Sequence, residues 1–129
     1  MSVYSDVLQA IVNLINTETQ QTVVIGPLPP DNGVSIAWAS NAYNSFMSRN
    51  ATVDMTAVLN SKDTSQQAAM DVLGEIHTTI SNMKNFPSAD NYQITDITTA
   101  TGPNYIGREE NNQWLYGSSL RVKFFIRGY

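Results

Sequence analysis

Apolar residues recur at helical spacing at the start of the chain, where Val3, Val7, Leu8, Ile11, Leu14 and Ile15 fall on one stripe. The spacing predicts an amphipathic helix over residues 3–16, with Ser2 or Ser5 as N-cap and Asp6 in a first turn that favours an acid. The stripe is wide enough for a core face. A helix lying on a membrane would carry Lys or Arg on its polar side, and this one has neither. Residues 22–25, Thr-Val-Val-Ile, read as a short strand, and three prolines and two glycines over residues 26–33 then forbid regular structure. The pattern next switches to period two. Val34, Ile36 and Trp38 share one face of a strand, as do Ala51, Val53, Met55, Ala57 and Leu59, with Thr52, Asp54 and Thr56 opposite. Residues 40–50 between them read as polar and irregular, anchored by Tyr43, Phe46 and Met47.

Asp63 followed by Gln66 is a helix-start signature, with the carboxylate capping backbone donors and the amide reaching back. Ala69, Val72, Leu73, Ile76, Ile80 and Met83 trace the helix stripe to about residue 84, and Phe86-Pro87 closes it. Gly74 inside that helix costs about 1 kcal/mol relative to Ala, which a close helix-to-sheet contact would explain. Two long strands end the chain. The β-branched run 92–99 is interrupted or bulged at residues 101–104 before Tyr105 and Ile106, and residues 109–112 make a polar turn. From there Trp114, Tyr116, Ser118, Leu120, Val122, Phe124 and Ile126 form a core face, with Arg121, Lys123, Phe125 and Arg127 on the other. The predicted class is α+β: one domain over residues 1–129, a mainly antiparallel sheet with two amphipathic helices packed on one face.

Composition narrows the options. A chain of 129 residues, 42% of them hydrophobic, is long enough for one core and too apolar for disorder. It has no cysteine, which excludes a disulfide scaffold or cysteine metal site, and no apolar run approaches a membrane span of about 18 residues. Neither a basic leader region nor a continuous apolar block opens it, so a cytoplasmic site of synthesis is expected, and the sequon Asn50-Ala51-Thr52 is read as chance. The net charge of −4 has the wrong sign for a protein that binds nucleic acid by neutralising phosphates. Residues 1–107 carry three basic and nine acidic side chains, whereas residues 108–129 carry four and two. Asn, Gln, Ser and Thr make up about a third of the chain, a surface that costs less to desolvate than a charged one and suits subunits buried in an assembly.

Candidate chemistry is sparse. His77 is the only histidine, which rules out a multi-histidine metal site and leaves it, beside the apolar stripe, as a boundary residue with a structural role. The chain has no nucleophile elbow, phosphate-binding loop or dinucleotide glycine pattern. Adjacent Glu109 and Glu110 in a turn diverge, unlike a glycosidase pair. Arg121, Lys123 and Arg127 line one strand face as a positive stripe for phosphates or an acidic partner, although such a stripe also serves as a solvated face or edge protection. Only Phe125 interleaves them, too few aromatics to stack single-stranded bases.

The order of segments, from the N-terminal helix through the Pro-rich turn, short strands and capped helix to a closing hairpin ending Leu120-Arg-Val-Lys-Phe-Phe-Ile-Arg127, resembles the small minor capsid proteins of tailed phages of Gram-positive bacteria. It is similar, too, to the lambda-like tail terminators. The resemblance implies a non-enzymatic virion protein without cofactor or metal, assembled in the host cytoplasm and sited at the head-tail junction. There a homo-oligomeric, six-fold ring would cap the last ring of tail-tube protein, stop tube polymerisation and offer its other face to the head-tail connector protein. DNA would pass through its lumen without specific binding, and the acidic balance of residues 1–107 would prevent sticking. Contacts are expected from the 26–33 loop, with Pro27, Pro29 and Pro30, and from the hairpin, with Arg108, Glu109, Glu110, Arg121, Lys123 and Arg127. A head-tail connector or tail-tube subunit is the alternative within the class. A small-molecule-binding α+β domain, or an enzyme using His77 with a carboxylate, is the alternative outside it.

Overall fold

The computed structural model describes residues 3–19, 21–28, 32–39, 43–45, 51–109 and 112–126. Ser2, Phe46, Met47, Asn50 and the interface candidates Pro29, Pro30, Glu110 and Arg127 lie outside these residues. The elements run α1 (Val3–Glu18), β1 (Val23–Ile25), β2 (Gly33–Trp38), β3 (Tyr43–Ser45), β4 (Ala51–Asp63), α2 (Gln66–Ser81), β5 (Ser88–Ala89), β6 (Tyr92–Arg108) and β7 (Trp114–Ile126). The seven strands form one sheet in the order β1-β2-β4-β7-β6-β5, and β3 pairs with the stretch of β4 that β2 leaves open. All pairs are antiparallel except β1 with β2. This is the α+β class read from the sequence, with one parallel edge and two further short strands: β3, where an irregular segment was expected, and β5, between Phe86-Pro87 and the strand that starts at Tyr92.

Both helices lie on the same side of the sheet. Val7, Leu8, Ile11, Val12 and Ile15 of α1 and Ala69, Leu73, Ile76 and Ile80 of α2 join Val34, Ile36, Val53, Leu59, Ile94, Ile97, Leu120, Val122 and Phe124 in one buried cluster. The period-two faces of β4 and β7 are therefore assigned correctly by the alternation. Trp38 is only half buried, because it stands at the end of β2. Its ring stacks on Phe124 at 6.1 Å between centroids, and its indole N–H donates to the Tyr4 carbonyl at 3.1 Å. It closes the core from the rim.

Three local expectations change for identifiable reasons. Strand β4 continues through Asp63, so the cap of α2 falls to Ser65, whose hydroxyl accepts the Ala68 N–H at 3.2 Å. Asp63 accepts the Ser65 N–H at 2.9 Å and so shapes the turn before the helix, while the Gln66 amide donates to the Tyr116 hydroxyl at 2.8 Å instead of reaching back. The helix stops at Ser81, where Asn82 takes over as C-cap. A methyl group built on Gly74 would meet nothing within 4 Å, so no close contact with the sheet explains this glycine. It borders a shallow groove between α2 and β6 that Met70, Thr78 and Pro103 also line.

The bulged strand was legible. Register shifts at Thr99/Thr101 and Thr101/Asn104 coincide with the Gly102-Pro103 step, and others fall at Ile94/Asp96 and Tyr105/Gly107. Beyond residue 99 every residue of β6 is exposed or only partly buried. Strand β5 covers the outer edge of β6 only at Gln93 and Tyr92, so the rest of that edge is unpaired within the described chain. Among the described residues no helix is long and apolar enough to cross a membrane.

Candidate assembly surfaces

The turn joining β6 to β7 is built by its own polar groups. The Glu109 N–H donates to the Gln113 carbonyl at 2.8 Å and the Asn112 N–H to the Glu109 carbonyl at 3.0 Å, with Asn112 in the left-handed region at φ 65°, a conformation Asn tolerates. Lys62, almost fully buried, donates to Glu109 at 2.9 Å and pins the turn to the end of β4. Arg108 donates to the Asn112 side chain and holds its guanidinium 5.2 Å from the Trp114 ring centre. Tyr105 packs at 6.0 Å from Trp114 and 5.8 Å from Tyr116. The hairpin end is thus a small aromatic cluster under a cation.

Asn32 donates its backbone N–H to the Gln113 side chain at 3.1 Å, which ties the end of the 26–33 loop to this turn. Pro27 sits elsewhere. Because β1 and β2 are parallel, the loop begins beside Ile36, where the Gly26 N–H meets the Ile36 carbonyl at 3.1 Å, about 10 Å along the strands from Gly33. Of the predicted contact residues, the fold brings together Arg108 and Glu109, and sets Pro27 apart.

Arg121 and Lys123 lie on the sheet face away from the helices, Arg121 about 23 Å along β7 from Trp114. Arg121 Nε donates to both carboxylate oxygens of Asp54, at 2.9 and 3.0 Å, and Nη2 adds a third bond. Lys123 is opposite Asp54 on β4 and Asp96 on β6. Two cations therefore meet two carboxylates, and the expected positive stripe is locally neutral over the described residues. The hydrogen bonds from Arg121, aided by the charges of Arg121 and Lys123, hold the Asp54 carboxyl below its usual range despite some opposing burial.

His77 is buried between α2 and the sheet. Nδ1 is 2.8 Å from the Thr99 hydroxyl and Nε2 is 2.7 Å from the Ser118 hydroxyl, so both ring nitrogens are engaged by neutral partners. Burial pushes its pKa below the usual value. A ring so enclosed is a strut between helix and strands, which agrees with the structural role read for it, although the site is core and not boundary. Among the described residues no three His, Asp or Glu side chains group as a metal site.

What the sequence reading missed is apolar exposure at the two ends of the sheet. Val24 and Ile25 on β1 are 38% and 45% exposed, and Tyr105 and Ile106 on β6 are 54% and 56% exposed. The signal was present: each is an adjacent apolar pair that breaks the alternation expected of a half-buried strand. In each pair one side chain faces the helix side and the other the open side. Ile106 folds over Gly117, where an added methyl would come within 2.6 Å of its Cδ1.

No protein-family model matches this chain, and no curated protein matches it. Among solved structures, its fold is shared with a chain of a structure described as the virion of a native gene transfer agent particle. That superposition has a TM-score of 0.61, covers 96% of this chain and 91% of the other, and carries 11% sequence identity, so the likeness is one of fold.

Proposed function

We propose that this chain is a virion structural protein of a tailed phage or a tail-derived particle, and specifically a tail terminator. In this role, copies form a ring on the last ring of the tail tube, end its growth and offer the opposite face to the connector on the head. The observation that carries the reading is the fold shared with a chain of a gene transfer agent virion over nearly the full length of both. Three features support it. Exposed apolar pairs, Val24 with Ile25 and Tyr105 with Ile106, stand on strands at both sides of the sheet and suit contact with neighbours. The surface of both helices carries Asp and Glu but no Lys or Arg among the described residues, which suits a wall beside passing DNA. The one histidine is committed to packing. No catalytic step is assigned to the chain.

The test is localisation in purified particles. An epitope placed after residue 129 and labelled with gold is expected at one position per particle, between tail tube and head. Label along the whole tube would make the chain a tube subunit, and label absent from particles would overturn the reading.

A further inference from the structure

The outer face of α2 breaks three local rules at once. Gly74 lowers helix propensity in mid-helix, and an added methyl would meet nothing within 4 Å, so no contact inside the chain requires a glycine there. Asp71 and Glu75 are like charges one turn apart, about 6 Å between Cβ atoms, an arrangement that opposes helix formation. Met70 is 42% exposed. All of these lie opposite the buried stripe of Ala69, Leu73, Ile76 and Ile80. They also border one groove. The β6 bulge between Thr101 and Asn104 sets Pro103 against α2, and the space between them, about 560 Å³, is lined by Met70, Gly74, Thr78 and Pro103 together with the two acids. Asp71 and Glu75 line a second cleft on the other flank of α2 as well, so the acid pair is the ridge between two hollows. Its charge is not answered within the described residues: α2 has no Lys or Arg, Glu75 accepts from the neutral Gln21 amide at 2.8 Å, and neither acid meets a cation.

We infer that the outer face of α2 is the docking site for a cationic segment of another protein, with an apolar side chain in the groove at Gly74 and a Lys or Arg between Asp71 and Glu75. Local costs gathered on one exposed face mark residues kept for a contact and not for folding. The groove is open along the helix, which suits a segment of chain better than an enclosed small molecule. A nucleic acid would set phosphates against carboxylates. The cation comes from a different protein because this chain's own are largely matched: Lys62 pairs with Glu109, Arg121 pairs with Asp54, and Lys123 stands opposite Asp54 and Asp96. Gly74 then has a reason, since without a Cβ the floor of the groove stays free for the incoming side chain. The outer face of α2 is thereby covered by protein, and α1, with Asp6 and Glu18, is left as the acidic wall. The inference goes beyond the virion role and does not depend on it.

The test is peptide selection on the isolated full chain. Short random peptides displayed as a library are selected against the immobilised protein, and the winners are synthesised and titrated by fluorescence anisotropy. Docking at this groove predicts winners that pair Lys or Arg with a large apolar residue and bind less tightly as salt rises. Gly74→Leu, which fills the groove, should weaken them about tenfold or more. Its urea midpoint should stay at or above that of the unmodified chain, because Leu is the better helix former. Asp71→Asn with Glu75→Gln should weaken the winners to a similar degree and remove most of the salt dependence, while the amide keeps an acceptor for Gln21. Winners without cations, winners that bind both variants as tightly as the unmodified chain, or a selection that yields no winner would overturn the inference. None of these outcomes depends on where the gold label falls in particles, so the docking site and the virion role can each fail alone.

Discussion

Lowering the pH from 7.5 to 5.5 should weaken this protein through a single group. His77 is 6% exposed and held by two neutral hydroxyls, with no carboxylate among its hydrogen-bond partners to favour the charged ring. Its pKa is therefore lower in the folded chain than in the unfolded one, where about 6.5 applies. A depressed folded pKa means that the stability it confers is complete above the unfolded value. It is lost as pH falls below 6.5, because the unfolded chain gains a proton that the folded chain resists. If the folded ring takes up no proton at all in this range, the loss between pH 7.5 and 5.5 is about 1.4 kcal/mol, which is the ceiling for one histidine. Urea unfolding followed by fluorescence of Trp38 and Trp114 reads this as a fall in midpoint of at most about 0.5 to 1.4 M, for slopes of 1–3 kcal/mol/M. The chain has one histidine and no cysteine, so the window isolates this side chain from other side chains that titrate nearby. His77→Gln should flatten the dependence. Equal midpoints at both pH values in the unmodified protein, or an undiminished fall in the variant, would refute the assignment of a buried neutral ring.

Gly74→Ala should raise stability by about 0.5 to 1 kcal/mol, seen as a higher urea midpoint, because the methyl meets open space and the helix gains propensity. Trp38→Ala should cost about 3 kcal/mol, the low end for a large aromatic, since it loses the Phe124 stack and the Tyr4 hydrogen bond from a half-buried position; a negligible change would mean that the rim does not contribute. Arg121→Gln should cost less than about 1 kcal/mol in thermal unfolding near pH 7, because the Asp54 pair is largely exposed. Its effect should disappear as pH falls below the usual Asp range and the Asp54 carboxyl is protonated, since a lowered carboxyl pKa confers stability only above it.

Periodicity made most of the fold legible. The stripes of residues 3–16 and 69–80, and the alternation from Val53 to Leu59 and from Tyr116 to Ile126, state directly which side of each element is buried. The Gly102-Pro103 step announced a bulge because neither residue supports a regular ladder. Capping was less legible, since Asp63 and Ser65 are both good caps and only the length of β4 decides between them. The short strand β3 owes its state to an open stretch of β4, a tertiary fact with no local signature. The candidate surfaces were half legible. Charged residues drew attention to Arg121 and Lys123, yet charge on a sheet is judged only with its cross-strand partners, and Asp54 and Asp96 come from distant segments. The apolar pairs at residues 24–25 and 105–106 break the alternation in the sequence, but only the strand order shows that both stand at sheet edges.

The tail-terminator role is tested most directly by electron microscopy of particles assembled without this chain, with tail lengths measured across the population. The account predicts overlong, uneven tubes that lack heads, because nothing stops polymerisation or prepares the joint. Tails of normal length beside separate filled heads would make the chain a connector, and intact infectious particles would contradict a structural role in the virion.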